Sequence, residues 1–193
     1  MDARLLKELQ QISHSMFAKN YFGVFHGSLS AKIELNAFAI NRKDIILDEV
    51  GENAFIKLST NTKKDYRWKE ASPDTDIHLE IYNALPNAKY ISYTMPPYAT
   101  AYSFEHNTII PQDFYGYKTF KEVPIYDPQN FNDWEKRAPY EIANYFEKNS
   151  NQHLLLIKGF GLISYDRDLL DMVKKVAILE NSCRLLTINN MNK

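Results

Sequence analysis

Cysteine is almost absent from this chain: Cys183 is the single one among 193 residues. One cysteine cannot form an internal disulfide. Cys183 lies in an apolar helical pattern, so we expect it to be buried as a small hydrophobic residue. The alternative, a reactive thiol, would need a cationic neighbour, and Arg184 is the candidate for that role.

The sequence also lacks a charge imbalance and long apolar runs. Its 23 basic and 24 acidic residues give a net charge of -1, which offers no electrostatic reason to expect nucleic acid as a partner. No run approaches the roughly 18 apolar residues of a membrane span. The N-terminus, MDARLLKELQQ, carries charges where a signal peptide would need an apolar stretch. We therefore expect a cytoplasmic protein with neither nucleic acid nor a membrane as partner.

Common catalytic motifs are missing as well. The chain has no GxGxxG, no GxxxxGK loop, no GxSxG and no HExxH, which are the signatures of dinucleotide binding, phosphate cradling, an elbow nucleophile and a zinc protease. The histidines stand far apart in sequence, with no two at the spacing of metal ligands: His14, His26, His78, His106 and His153. No metal or cofactor is expected from these patterns.

What the chain does have is enough apolar material for a core. Hydrophobic residues make up 45% and aromatic residues 13%, which suits one domain spanning residues 1–193. Apolar residues at helical spacing predict amphipathic helices. The predicted helices cover residues 2–22, 74–86, 98–105, 133–149 and 168–187.

Short β-prone runs separated by turn residues predict strands. These cover residues 23–33, 37–40, 44–47, 54–59, 90–94, 108–110, 123–126, 154–157 and 162–165. The aromatic segment 114–120 is expected to be a loop. The polar, basic segment 60–70 is expected to be a solvated loop, or else a loop that guides an anion. Together the elements predict an α/β fold in which a central, mostly antiparallel sheet is covered by helices.

The stretch from Asp74 to Ala101 is the expected centre of the molecule. It predicts a helix, a strand ending at Thr94 and a turn at Pro96-Pro97. We expect a pocket at that turn, where Tyr93, Thr94 and Met95 are the neighbouring side chains, an unusual set for an enzyme. His78 on the preceding helix is interpreted as a hydrogen-bonded packing residue rather than a ligand.

Three segments together resemble the class II aldolase/adducin family over nearly the whole chain: HGSLSAKI, SPDTDIHLEIYNALPNAKYISYTMPPYATA and LLLIKGFGLISYDRDLLDMVKKVAILE. In that family one strand ends in His-Thr-His-Pro-Pro-Tyr-Ala-Thr-Ala and a later one in His-Gly-Leu, and the three histidines hold a zinc ion. Here the corresponding residues are Tyr93, Met95 and Phe160. Zinc prefers imidazole, thiolate or carboxylate ligands, so the resemblance with these departures implies no zinc.

The resemblance also implies roles for other residues. Asp74 stands where the family has an acid-base glutamate, with a helix cap as the alternative interpretation. Tyr115, or Tyr117 with a different gap, corresponds to a tyrosine that donates a proton across a subunit boundary, or is an ordinary packed aromatic. Ser28 and Ser72 fall at positions of the family's phosphate pocket. The expected ligand pocket is thus lined by Ser28, Ser72, Tyr93, Met95 and Phe160.

A further pair, Arg42 and Lys43, replaces a segment of that phosphate pocket. These two charges could attract an anion, but cations in a turn are more often solvated.

Two functions remain open on the sequence. The first is a non-catalytic member of the fold that binds a small molecule or a protein. The alternative is an aldolase-like lyase acting on a sugar phosphate with a changed or absent metal site. The resemblance further implies a homo-oligomer, often a tetramer, with the aromatic segment around Tyr115 as the contact.

Overall fold

The computed structural model describes residues 1–61 and 64–191. The predicted segment 60–70 and the predicted domain 1–193 therefore lie partly outside the described residues. The helices are α1 (Ala3–Ala18), α2 (Thr75–Ala84), α3 (Pro97–Glu105), α4 (Phe114–Phe120), α5 (Trp134–Lys148) and α6 (Leu169–Met191). The strands are β1 (Ser28–Glu34), β2 (Ala37–Asn41), β3 (Phe55–Ser59), β4 (Tyr90–Thr94), β5 (Thr108–Ile109), β6 (Val123–Tyr126), β7 (Leu154–Ile157) and β8 (Gly161–Asp166).

The eight described strands form one sheet in the order β3-β2-β1-β4-β8-β7-β6-β5. Within the described ranges every pairing is antiparallel except that of β6 with β7, which is parallel. The predicted α/β fold with a mostly antiparallel sheet is therefore confirmed. β4 occupies the middle of the sheet between β1 and β8, so its C-terminal end is surrounded by protein.

Helices cover both faces of the sheet, which produces two cores. Alternate residues of β7 belong to different cores, Leu154 and Leu156 to one and Leu155 and Ile157 to the other, as the side-chain period of a strand requires. The first core lies beneath α1, α3 and α6, and the second beneath α2 and α5. In addition, α2 packs against α5 and α3 packs against α6. The site discussed below lies on the α2–α5 side.

Carboxylate side chains cap the N-termini of several helices, where they accept hydrogen bonds from free backbone N–H groups. Asp2 accepts from the Arg4 N–H, and Asp113 accepts from the Gly116 N–H at 2.8 Å. Asp168 accepts from the N–H groups of Leu170 and Asp171 at 2.9 and 3.0 Å. The N-terminal ends of α1, α4 and α6 are thus set by capping residues that are local in sequence.

Several sequence predictions are wrong in detail. Residues 23–27 form a turn and not a strand, since the Gly23 N–H donates to the His26 carbonyl. Residues 44–47 form no strand, because Asp44 takes a positive φ of 59° that interrupts an extended chain. The aromatic segment 114–120 is the helix α4 and not a loop.

The prediction that Cys183 is buried is confirmed. Cys183 is fully buried, and burial raises the pKa of its thiol to about 12. The inward residues Ile77, Ile81 and Tyr82 of α2 are buried in the second core. Among the described residues, no helix combines the length and the apolar character that crossing a membrane would take.

Candidate functional site

The expected pocket residues meet at one edge of the sheet. β4 and β8 are antiparallel, with Thr94 opposite Leu162 and Tyr93 opposite Ile163. The last residues of β4 therefore lie beside the turn that precedes β8, which carries Phe160. Segments far apart in sequence are brought together in this way.

Tyr93 and Phe160 are bound directly to each other. The Tyr93 hydroxyl donates a hydrogen bond of 2.7 Å to the Phe160 carbonyl, and the two rings stack with centroids 4.8 Å apart. The Phe160 ring in turn meets Trp134 of α5 edge-on at 5.7 Å. These three aromatic residues form a continuous wall, called the aromatic wall below.

Gly161 makes this close arrangement possible. Its φ is +130°, a region that disfavours residues with a Cβ. A Cβ there would lie 2.5 Å from the Thr94 carbonyl oxygen and 2.9 Å from the Tyr93 ring. Gly27 plays a similar part on the other side, since its Cβ would lie 2.4 Å from the Phe22 ring. Both glycines let the chain pass close to the end of β4.

Met95 is half-buried next to Gly161, whose added Cβ would lie 3.1 Å from Met95 Cγ. Its backbone N–H donates to the Tyr21 carbonyl at 2.8 Å, which ties the chain after β4 to the segment that follows α1. The thioether is an uncharged, weak acceptor.

The residues Tyr93, Met95 and Phe160 do not fit a zinc ion. Burial, with the nearby charge of Asp74, raises the pKa of the Tyr93 phenol, so the phenolate is disfavoured. The Tyr93 hydroxyl is also occupied by its bond to Phe160, and the Phe160 side chain has no donor atom for a metal. Elsewhere in residues 1–61 and 64–191, no three His, Cys, Asp or Glu side chains cluster to hold a metal.

Asp74 lies half-buried at the start of α2, close to Tyr93. Its carboxylate accepts from the Ser72 hydroxyl at 3.3 Å, and its own N–H donates to that hydroxyl at 3.3 Å. Burial raises the pKa of Asp74, while the hydroxyls of Ser28 and Ser72 and the nearby His26 oppose that shift. Its side chain makes no capping hydrogen bond to α2, which does not support the alternative interpretation of Asp74 as a helix cap.

A cleft of about 700 Å³ opens between α2 and α5 beside these residues. It is bounded by Phe160 and Trp134 of the aromatic wall and by Asp74. Among its other lining residues are Ile77, Pro139 and Tyr140, together with the charged Lys64, Asp76, Glu80 and Lys136. The cleft thus combines an aromatic side with ionised groups around it.

His78 is buried under this site. Its Nε2 lies 2.8 Å from Ser28 Oγ and its Nδ1 2.7 Å from Ser30 Oγ. Burial lowers the pKa of His78 to about 3, so the imidazole is neutral near pH 7. The sequence prediction of a hydrogen-bonded packing residue is confirmed.

Glu180 of α6 was not predicted from the sequence, although it positions the turn. This carboxylate is 6% exposed and accepts from the N–H groups of Tyr98 and Ala99 at 3.0 and 2.8 Å. It thereby satisfies free donors at the start of α3, immediately after Pro96-Pro97. A glutamate at a position that an apolar helical pattern places towards the core is the sequence feature that could have indicated this role.

The remaining predicted site residues lie elsewhere. Tyr115 is 68% exposed on α4, and it does not line the cleft. Tyr117 is 62% exposed on the same helix. Arg42 pairs with Glu70 and donates to the Asn53 carbonyl at 2.9 Å. The structure therefore brings Ser28, Ser72, Asp74, Tyr93, Met95 and Phe160 near one another at the end of β4. Of these six, Asp74 and Phe160 line the cleft, whereas Ser28, Ser72, Tyr93 and Met95 do not.

The chain matches one known protein family over nearly its whole length. Residues 7–187 match the family described as the class II aldolase and adducin N-terminal domain. The chain belongs to this family. No curated protein sequence matches it.

Solved structures of the family have the same fold. L-fuculose-1-phosphate aldolase from Thermus thermophilus superposes with a TM-score of 0.86 at 20% identity, over 98% of this chain and 96% of that one. YgbL from Escherichia coli gives 0.78 at 18% identity, over 96% and 89%. A sugar-phosphate aldolase from Thermotoga maritima gives 0.72 at 13% identity, over 98% and 97%. At these identities the likeness establishes the fold alone.

Proposed function

We propose that this chain is a non-catalytic class II aldolase/adducin-like protein whose metal-free pocket binds a small molecule or a protein partner. One observation carries the proposal. Tyr93, Met95 and Phe160 stand at the positions where the family resemblance implies zinc-binding histidines, and Tyr93 and Phe160 are bonded and stacked on each other.

Replacing the zinc-binding histidines of the family with these residues removes a large stabilisation of the transition state. A catalytic metal ion contributes several kcal/mol of charge stabilisation as a Lewis acid. A loss of about 4 kcal/mol lowers a rate roughly a thousandfold. A phenol, a thioether and a phenyl ring supply no such charge, so family chemistry at this position is not expected.

The cleft itself is suited to a small ligand. Its volume of about 700 Å³ lies within the range of roughly 300 to 1,000 Å³ that is usual for ligand sites. Phe160 and Trp134 of the aromatic wall offer an apolar side, and Asp74, Glu80 and Lys136 offer polar contacts around it. A ligand with one apolar face and a few polar groups would match this lining.

The alternative is an aldolase-like lyase that acts on a sugar phosphate with a changed or absent metal site. Asp74 favours it, because a carboxylate whose pKa is raised by burial is the kind of group that serves as a general base. The fold shared with L-fuculose-1-phosphate aldolase suggests the substrate to try.

The test is turnover of L-fuculose 1-phosphate by the purified full chain, with and without added zinc. We expect no cleavage above the protein-free control. Cleavage that is retained in D171N but lost in D74N would replace the proposal with the lyase, since Asp171 is exposed on α6 and does not line the cleft.

We also propose a homo-oligomer, a tetramer being the size that the resemblance implies. Exposed aromatic residues on α4 are the candidate contact: Phe114, Tyr115 and Tyr117 are 69%, 68% and 62% exposed. Static light scattering checks this proposal, and a monomer mass at micromolar concentration would contradict it.

A further inference from the structure

Three basic residues are neighbours at the end of β4 that lies away from the cleft. The Lys32 N–H of β1 donates to the Lys89 carbonyl at 2.7 Å, and the Lys89 N–H donates to the Asp166 carbonyl at 3.0 Å. Arg167 directly follows Asp166, which lies opposite Tyr90 in the sheet. Lys32, Lys89 and Arg167 thus stand side by side across β1, the start of β4 and the end of β8, and are called the basic row below.

The side chains of the basic row line one concavity, called the basic hollow below. Its volume is about 490 Å³, within the range of roughly 300 to 1,000 Å³ that is usual for ligand sites. Glu34 and Asn87 also line it, together with apolar residues of the β1–β2 turn and of the segment after α2. The basic hollow is therefore large enough for a small organic molecule.

The basic row has no anionic partner among residues 1–61 and 64–191. None of the ion pairs in these ranges includes one of its three cations. Glu34, the carboxylate of the lining, is paired with Lys57, which lies outside the hollow. Asp166 is paired instead with Lys175 and His153. Three positive charges therefore share one concavity without a counter-charge.

Two further carboxylates lie in the neighbouring concavity, which shares Lys32 and Lys89 with the basic hollow. Asp2 caps α1 by accepting from the Arg4 N–H at 3.4 Å, and Glu8 pairs with the Arg4 guanidinium at 3.0 Å. Neither carboxylate lines the basic hollow. The hollow itself thus keeps a positive lining.

Such a row is unfavourable in the free protein. Like charges on adjacent strands destabilise a sheet when they lie directly opposite each other. Two of the ammonium groups face aromatic rings, Lys32 that of Tyr82 at 5.9 Å and Lys89 that of Tyr90 at 5.2 Å. These contacts orient the cations but do not neutralise them. A bound anion would remove the repulsion.

We propose that the basic hollow binds a small organic anion that carries a diphosphate or two separate phosphate groups. A guanidinium donates two parallel hydrogen bonds to one phosphate, which is the role of Arg167, and Lys32 and Lys89 supply the point charges of ammonium groups. The row covers two strand spacings, roughly 10 Å, which is longer than one phosphate group and suits two. The apolar residues of the lining contact the organic part of the ligand.

This site is separate from the cleft, since the two share no lining residue. The proposal therefore stands whether or not the cleft binds a ligand.

The test is isothermal titration of the purified full chain with inorganic pyrophosphate near neutral pH. We expect saturable binding of one pyrophosphate per chain. Binding should weaken as the salt concentration rises from about 50 to about 200 mM, because salt screens exposed charges. Pyrophosphate should also raise the Tm of the chain, as any ligand of the folded state does. No saturable binding up to about 10 mM pyrophosphate would overturn the proposal.

A matched pair of double variants separates the basic row from net charge. K32Q/R167Q should bind pyrophosphate at least about tenfold more weakly, since it removes two charged donors. Its Tm without pyrophosphate should equal or exceed that of the wild type, because repulsion within the row is relieved. K7Q/K174Q loses the same charge at exposed positions outside the hollow and should bind as the wild type does.

Two single variants complete the test. R167Q alone changes an exposed residue and should weaken binding at least about fivefold through the loss of its paired hydrogen bonds. K43Q removes a cation from the turn with Arg42 and should leave binding unchanged. An equal loss in K32Q/R167Q and K7Q/K174Q would overturn the proposal, and so would a loss in K43Q with binding retained in R167Q.

Discussion

At the scale of single residues, the contact between Tyr93 and the Phe160 carbonyl is the feature on which the account of the pocket depends. Tyr93 is 7% exposed, and its hydroxyl bond of 2.7 Å joins the end of β4 to the turn before β8. The bond fixes the stacked rings in place. It also holds the phenol proton, which would have to leave before the Tyr93 oxygen could bind a metal as phenolate.

Replacing Tyr93 with phenylalanine tests the strength of this contact. Y93F leaves the Phe160 carbonyl without its donor, and the net loss of a typical hydrogen bond is about 1 kcal/mol. We expect the free energy of unfolding, measured by urea denaturation, to fall by that amount. The control Y115F removes a hydroxyl from an exposed position and should stay within about 0.5 kcal/mol of the wild type.

Part of this arrangement of side chains could be predicted from the sequence. The family resemblance predicted that Tyr93, Met95 and Phe160 are neighbours, because it implies three histidines holding one zinc ion at these positions. It could not give the bond from the Tyr93 hydroxyl or the edge-on contact with Trp134. The first depends on the conformation of the turn before β8 and the second on the packing of α5.

At the scale of elements, the start of α3 is held by a residue of another helix. Glu180 on α6 accepts from two backbone N–H groups of α3, so a helix more than 60 residues further along the chain fixes the turn at Pro96-Pro97. The position of Met95 depends on this contact, because it directly precedes that turn.

Removing the Glu180 carboxylate should destabilise the protein. In E180A the N–H groups of Tyr98 and Ala99 lose their partners, and an unsatisfied buried donor costs about 1 to 3 kcal/mol. Urea denaturation of E180A should show a loss in that range. The exposed E105A, on the same α3, should change stability by less than about 0.5 kcal/mol.

The loss of stability caused by E180A should depend on pH. Burial raises the pKa of Glu180 even though its two hydrogen bonds oppose the shift, so the folded protein binds a proton here at pH values where the unfolded chain, with a glutamate pKa of about 4.3, does not. Stability that comes from a raised pKa is full below the unfolded value and declines as the pH rises through the folded one. The difference between wild type and E180A should therefore shrink towards neutral pH and then level off. A stability difference that grows as the pH rises would contradict a raised pKa of Glu180 in the folded protein.

The helix α4 shows why sequence patterns failed in places. The segment 114–120 is rich in aromatic residues and contains Gly116, and both residue types have a low helix propensity. It is helical because Asp113 caps it and because α4 packs against α6 so closely that a Cβ on Gly116 would lie 2.2 Å from Ser182 Oγ. That tertiary contact outweighs local propensity, and nothing local to the segment reveals it.

At the scale of the whole molecule, the topology explains why the site lies where it does. β4 is central, and the strands on its two sides, β1 and β8, supply Ser28 and the turn with Phe160. The order of helices and strands along the sequence predicted this sheet and its coverage. The cleft between α2 and α5 was not predicted, since it depends on how two helices far apart in sequence pack.

The central claim is that this fold holds a pocket without the zinc chemistry implied by its family. It is tested most directly by the zinc content of the purified chain after saturation with zinc and dialysis, measured by elemental analysis beside the triple variant Y93H/M95H/F160H. We predict far less than one zinc per chain in the wild type and a gain towards ~1 zinc per chain in the triple variant, whose three imidazoles are ligands that zinc prefers. About one zinc per wild-type chain, lost on replacing Met95 with alanine, would contradict the account.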